Sequence, residues 1–386
     1  MTKSATRVVA DKVTFTQTEV NSAITAGDTA ARAGRKNLII NGAMQVAQRG
    51  TTANLVNGGS AYKTVDRFRI EEAGEYTGAF TITQDTDSPL GFGSSLKWDC
   101  TTADTALAAG DALMMTYKTE AQDLQLLNYG TSGALQTTLS FWIKSNKTGT
   151  YVVWIYQQDG ARQVQVSYTV DVADTWEHKT CVIPAHTTVA INNDTGAGLY
   201  IRWIFGAGTN YTSGTANTTW AADVTANRHV GQTVNLADST ANYLNITGVQ
   251  LELGSVATDF EHRSYGEELA LCQRYYEVIA DGSVSQVQTF GIGHGYKSDQ
   301  INWFYQFKVS KRTEAFTLEV VSTSTGYRAR NHSTNKYSTT LGMSANLQSI
   351  NQIEGYMTAI SGITEQSCWS VLLNQPSSKI AVSAEL

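Results

Sequence analysis

Apolar and polar residues alternate with a period of two along most of the chain between residues 37 and 263. In LSFWIKS, Leu139, Phe141 and Ile143 fall on one side, and Ser140, Trp142 and Lys144 on the other. In YVVWIYQQDG, Val152, Trp154 and Tyr156 alternate with Tyr151, Val153 and Ile155. In GLYIRWIFG, Leu199, Ile201, Trp203 and Phe205 alternate with Tyr200, Arg202 and Ile204. β-Branched and aromatic residues at this spacing predict strands, because successive side chains of a strand point to opposite faces. Turn signals separate the runs: Asn57-Gly58-Gly59, Asp159-Gly160 and the glycine-rich stretch from Gly206 to Gly214. Strand after strand with so few prolines predicts a two-sheet jelly-roll sandwich over residues 37–263. Trp154 and Trp203, each flanked by Val or Ile, are expected in the core.

The period then changes. In SYGEELALCQRYYEVIA (264–280), Leu269, Cys272 and Tyr276 share one helical stripe and Glu267 and Glu268 stand in the first turn, which predicts a connector helix. Strand patterning returns in INWFYQFKV (301–309), FTLEVVS (316–322), SCWSVLL (367–373) and KIAVSAEL (379–386). The polar run 322–340 reads as a loop or a long hairpin, and Gly291-Ile292-Gly293-His294-Gly295 as a turn between strands. The fold class expected is therefore all-β: a jelly-roll β-sandwich (37–263), a connector helix (264–280), and a smaller C-terminal β-sandwich (281–386). A short helical or extended arm (1–36) precedes them. In that arm Val13, Gln17, Val20, Ile24, Gly27 and Ala31 form a weak heptad seam, and a stem or a mobile arm both fit it.

Composition narrows the function. Charged residues are 16% of the chain, below the usual quarter, and Thr, Ser, Asn and Gly replace them. The surface is polar without being ionic, which suits contact with sugars or other subunits. Net charge is -6 and no long Lys/Arg run occurs, so a nucleic acid partner is not expected. No apolar stretch of membrane-spanning length appears. The first residues lack a secretion signal, and a protein assembled in the cytoplasm is expected. The four cysteines, Cys100, Cys181, Cys272 and Cys368, form no C-x-x-C pair. They are expected as buried or partly buried thiols, with a Cys100–Cys181 disulfide left open.

Three segments resemble bacteriophage tail-fibre proteins: NLIINGAMQVAQRGT (37–51) with YKTVDRFRI (62–70), ITGVQLELGSVATDFEHRSYGEELALCQRYYE (246–277), and more weakly FKVSKR (307–312) with the terminal AEL (384–386). In that last pattern a proline commonly follows the arginine, and here Ala315 stands near its place. The resemblance implies a receptor-binding fibre subunit with a carbohydrate-binding-module-like jelly-roll and a small β tip. It implies a homotrimer, attached through the N-terminal arm to tail or baseplate proteins of the virion. It also implies binding to a host cell-surface glycan for adsorption. A head or baseplate decoration protein without a receptor role is the first alternative, and a polysaccharide depolymerase the second.

Candidate chemistry is sparse. The histidines show no zinc spacing and no nucleophile elbow occurs, so no catalytic residue and no required cofactor are expected. Jelly-rolls of this kind are compatible with one structural calcium ion, for which the sequence marks no ligand set. A depolymerase would need two facing carboxylates, and Glu71/Glu72, Asp85/Asp87 and Glu252/Asp259 are the pairs at hand. Sugar rings stack on exposed Trp and Tyr faces. Trp142, which alternates with Ser140 and Lys144, and Tyr211 and Trp220, in a Gly/Thr/Asn loop, are the candidates in the jelly-roll. Tyr327, Arg328, Arg330 and Tyr337, with His332, are the candidates in the polar run of the tip.

Overall fold

The computed structural model describes residues 35–386 apart from 57–58, 284–287, 322–325, 333, 339, 344–347, 359 and 377. The heptad positions Val13 to Ala31 lie outside the described residues. The body consists of two antiparallel sheets. The first has the spatial order β1 (Thr52–Val56), β4 (Ala79–Asp85), β5 (Ser95–Thr102), β13 (Tyr243–Leu253), β7 (Thr137–Ser145), β10 (Glu177–Ile183). The second has the order β12 (Ala221–Ala222), β9 (Arg162–Val170), β8 (Gly149–Gln157), β11 (Ala197–Ala207), β6 (Ala112–Glu120), β3 (Phe68–Ala73), β2 (Ala61–Tyr62). The alternation read from sequence sets the inner faces. Leu139, Phe141 and Ile143 of the first sheet meet Ile201, Trp203 and Phe205 of the second in one core. Rings lock the sheets together edge to face: Phe141 on Trp203 at 5.9 Å and Trp98 on Phe205 at 5.0 Å. A bulge interrupts β13 between Thr247 and Gln250, and Gly248 takes φ 63° there. A Cβ at Gly248 would lie 2.7 Å from Phe92, so both conformation and space demand glycine.

The tip is also all-β. A three-stranded sheet, β14 (Tyr276–Asp281), β23 (Lys379–Ser383), β17 (Thr317–Val321), packs on a seven-stranded one. The larger sheet has the order β19 (Thr334–Ser338), β18 (Tyr327–Asn331), β22 (Cys368–Leu373), β15 (Thr289–Lys297), β16 (Gln300–Gln306), β21 (Gln352–Thr358), β20 (Thr340–Met343). Ile279, Ile380 and Val382 face Trp303, Tyr327, Val371 and Leu373 across its core. Two expectations change here. The glycine-rich run is not a turn but the middle of β15, whose inner side is left nearly bare. A Cβ at Gly293 would stand 2.4 Å from the Asn302 carbonyl oxygen, so the glycines permit the close approach of backbone. The helix, α1, spans only Tyr265–Gln273, capped by the Ser264 hydroxyl that accepts from the Glu267 amide. Residues 276–281 leave it because Tyr276 is drawn into the first strand of the tip, paired with Ser383. All four cysteines are free thiols; Cys100, Cys181 and Cys272 are buried and Cys368 is exposed.

Body and tip meet at a seam to which residues 48–49, 67, 274–276, 312 and 384–385 contribute, with Lys118, Glu120 and Thr195 of the body. Arg67, at φ 74°, is buried with its guanidinium 3.4 Å from the Tyr275 ring centroid. It pairs with Glu385 and donates to the Lys118 carbonyl at 2.7 Å. Glu120 of the body accepts from Arg274 at 2.6 Å and from the Tyr275 hydroxyl at 2.8 Å. Arg312 of the tip donates to the Thr195 carbonyl at 2.6 Å and the Ala384 carbonyl at 2.8 Å. Arg49 lies 3.5 Å from the Tyr276 ring centroid, and the Gln48 amide donates to the Tyr276 carbonyl at 2.7 Å. Inside the tip, Lys311 and Glu277 pair at 2.6 Å with both side chains wholly buried.

One member of the seam titrates near neutrality. Burial pushes the Asp66 carboxyl up to about 7, against the pull of Arg49 and the Gln48 donors. Because the folded value exceeds the unfolded one, the ionised carboxylate opposes folding fully above pH 7. That cost is relieved as pH falls from 7 towards 4, by about 4 kcal/mol. Urea unfolding at pH 7.5 and pH 5.5 is expected to show a more stable junction at the lower pH. Asp66→Asn is expected to remove most of that difference.

Candidate functional site

The outer face of the second body sheet carries the densest functional chemistry. Strand register aligns two rows across it. In the first, Trp154 pairs with Arg202, Arg202 with Thr116, and Thr116 with Arg69. In the second, Gln163 pairs with Tyr156, Tyr156 with Tyr200, and Tyr200 with Lys118. These side chains share a face because their partners at odd spacing, Val153, Ile155, Ile201, Trp203 and Tyr117, fill the core. Arg202 lies 4.7 Å from the Trp154 ring and 4.9 Å from Tyr200, and the Lys118 ammonium lies 4.8 Å from Tyr200. Tyr156 stands 5.6 Å from Trp154 and 5.8 Å from Tyr200. Tyr156, Tyr200, Arg202 and Arg69 are half-buried and Lys118 is buried beside Tyr200, so rings and arginines line an open strip.

One end of the strip is roofed by the segment between β11 and β13. Trp154 is buried there with Met114, Val152 and Ile204, in a small cluster separate from the main core. Its indole donates to Gln163 at 2.9 Å. His229 sits edge-on to Trp154 at 5.6 Å and beneath Tyr211 at 5.1 Å. Burial, with Arg202 and Arg228 nearby, holds His229 down to about 3, so the ring is neutral. The other end opens into a cleft of about 390 Å³ against the tip.

The sequence candidates do not converge on one site. Tyr211 packs on the roofed cluster at the edge of the strip. Trp142 lies on the opposite outer face, that of the first sheet, 5.1 Å from His178. Trp220 is half-buried and stacked on His186 at 4.8 Å, with its indole donating to the Pro184 carbonyl at 2.7 Å. Tyr327 is corrected outright: it is fully buried in the tip core, because the polar run folds as the hairpin of β18 and β19 and its inward positions are core. Arg328, Arg330 and Tyr337 do share the outer face of that hairpin, Arg328 directly opposite Tyr337. His332 is exposed at the hairpin turn with φ 44°. The same face of the tip sheet exposes Ile292 by 71% and Phe304 by 48%, an apolar patch that the strand pattern did not single out.

Arg202, Lys118 and Arg69 were missed by sequence reasoning. For Arg202 the signal was a cation in the middle of an otherwise apolar strand, GLYIRWIFG. At least one carboxylate of each pair named for a depolymerase has a structural partner. Glu71 is shared by Arg69 and Arg202 and accepts from the Thr116 hydroxyl at 2.9 Å. Glu252 accepts from the Thr258 amide and hydroxyl at 2.9 and 2.6 Å, and Asp87 pairs with Lys144 at 2.8 Å. Among the described residues no group of three or more His, Cys, Asp and Glu side chains converges that could hold a metal ion. None of the described helices is long and apolar enough to cross a membrane.

No protein-family model matches the chain. No curated protein matches it. Similar solved structures include the enzymatically active domain of tailspike protein 4 of bacteriophage CBA120, at 14% identity and a TM-score of 0.30, covering 56% of this chain and 21% of that one. The chain thus spans about a fifth of the length of that solved domain. A putative sugar-binding protein from Bacteroides thetaiotaomicron is 12% identical with a TM-score of 0.32, covering 57% of this chain and 100% of the other. A xylan-binding domain from Paenibacillus barcinonensis is 10% identical with a TM-score of 0.28, covering 57% and 96%. Likenesses this distant assign no role.

Proposed function

We propose that the protein is a non-catalytic, glycan-binding virion subunit of a bacteriophage, a fibre that adsorbs to host surface polysaccharide. The observation that carries this reading is the strip of Tyr156, Tyr200, Arg202 and Lys118 on the open face of a rigid sandwich. Aromatic rings offer faces to pyranose C–H groups, and the cations and amides offer donors to hydroxyls. The resemblance of residues 37–51, 62–70 and 246–277 to tail fibres supports the virion role. Three copies are proposed, with a second copy covering Ile292 and Phe304 of each tip, since three linked weak sites raise avidity.

The test is light scattering on the purified chain, followed by binding to host cells. A mass about three times 41.9 kDa and saturable binding are expected. The double variant Tyr156→Ala/Tyr200→Ala is expected to lose at least tenfold in glycan affinity with an unchanged melting curve, as each lost stacking contact is worth about 1 kcal/mol. A monomer that ignores host cells would leave the decoration reading ahead. In the tip, exchanging Arg328, Arg330 and Tyr337 while keeping Tyr327 is the substitution that separates receptor contact from folding.

A further inference from the structure

We infer that the outer-face strip selects a saccharide that carries an anionic group, with the charge seated between Arg69, Lys118 and Arg202. The inference rests on the glycan-binding reading and names its ligand class. Three cations stand within one strip, and one carboxylate, Glu71, is shared by two of them. The third, Lys118, is itself buried at 8% exposure; its ammonium donates to an oxygen of Leu386 at 2.8 Å and lies against the Tyr200 ring, with no carboxylate side chain in contact. The crowding leaves its mark: burial first and then Arg69, with Arg202 and Arg67 adding, draw Lys118 down to about 8 despite Glu71. Like charges held this close persist where the surrounding fold fixes them, and an anion entering the site relieves their repulsion.

The surroundings favour a sugar as the carrier of that charge. Two of the cations, Arg69 and Lys118, open on one side into the cleft, which Arg49, Tyr62, Glu319 and Leu386 also line. On the other side they run directly into Tyr200 and Tyr156, so an anionic residue in the cleft continues into rings on which neighbouring sugars stack. The patch is local: the chain as a whole is acidic at -6. A bare polyanion such as duplex DNA, which is read through an extended row of phosphate contacts, finds only this short stretch. Carboxylate and sulfate share the required chemistry, and the guanidinium forks of Arg69 and Arg202 suit either.

The experiment is affinity electrophoresis and titration calorimetry of the full chain with hyaluronan, dextran sulfate, dextran and duplex DNA, at 50 and 300 mM NaCl. Lys118→Gln and Arg69→Gln are run beside the parent, with melting curves as a folding control. The expected result is binding to hyaluronan or dextran sulfate at least tenfold tighter than to dextran. That affinity should weaken at the higher salt and fall at least tenfold in Lys118→Gln. Arg69→Gln, on the more exposed side chain, gives the same comparison should Lys118→Gln lose its cooperative melt. Preference between the two anionic polymers identifies the charged group as carboxylate or sulfate. Equal binding of dextran and hyaluronan overturns the anionic preference and leaves glycan binding standing. DNA bound as tightly as the polysaccharides overturns it too, as a general polyanion patch. No polysaccharide bound at all overturns the glycan reading itself.

Discussion

Arg67→Met is expected to destabilise the protein by about 3–5 kcal/mol and to uncouple tip from body. Arg67 is buried and joins three things at once: the Glu385 carboxylate, the Tyr275 ring and the Lys118 carbonyl. Removing the guanidinium strands Glu385 in a site where its remaining partner is the more distant Arg49 at 3.4 Å. The cost comes from that orphaned charge, not from lost hydrophobic area, since methionine keeps much of the volume. Differential scanning calorimetry checks it. The parent should melt with body and tip coupled, while the variant should show the tip melting earlier as a separate transition. A variant that melts as one unit within 1 °C of the parent refutes the role given to the seam. Restoring charge with Arg67→Lys should recover only part of the stability, because an ammonium pairs with Glu385 but lacks the planar stack on Tyr275.

The second large effect is expected at the Lys311–Glu277 pair inside the tip. Lys311→Met leaves Glu277 buried, still accepting from the Tyr305 hydroxyl at 2.8 Å and the Lys308 amide at 3.2 Å but without its counter-charge. A loss of about 3–5 kcal/mol follows. Lys311→Met/Glu277→Gln should be milder than the single change, because a neutral amide needs no counter-ion and its carbonyl keeps accepting from Tyr305 and Lys308. The sign of that double-mutant comparison is the test, read by urea denaturation. A double variant less stable than the single one would mean that the pair acts through packing and not through charge.

The strands of the body were legible because half-buried strands betray themselves by alternation, and LSFWIKS and GLYIRWIFG do so plainly. The two tryptophans expected in the core show where that signal weakens. Trp203 is in the main core, but Trp154 lies on the opposite face, buried by the segment that carries His229 and Tyr211. Both faces of β8 are apolar for different reasons, and alternation alone does not say which one meets the other sheet. The tip was harder. Glycines at alternate positions of β15 imitate a turn, although they serve close backbone contact. Tyr327 sits in a run so polar that its inward position in a hairpin left no trace in composition. The candidate strip escaped notice because Arg69, Lys118 and Arg202 are far apart in sequence and become neighbours only through cross-strand register.

The seam also sets rules for grafting one tip onto another body. The contacts run from Gln48, Arg49, Arg67 and Glu120 on one side to Arg274, Tyr275, Tyr276 and Glu385 on the other, so the last residues of the chain close a joint begun near its start. A chimera spliced within α1 inherits both halves from different parents. It holds together only when the incoming piece supplies an acid at the place of Glu385 and aromatic rings at those of Tyr275 and Tyr276. Exchange of whole tips is thereby confined to donors that bring this set of residues, whereas altering the outward positions of the β18–β19 hairpin carries no such restriction.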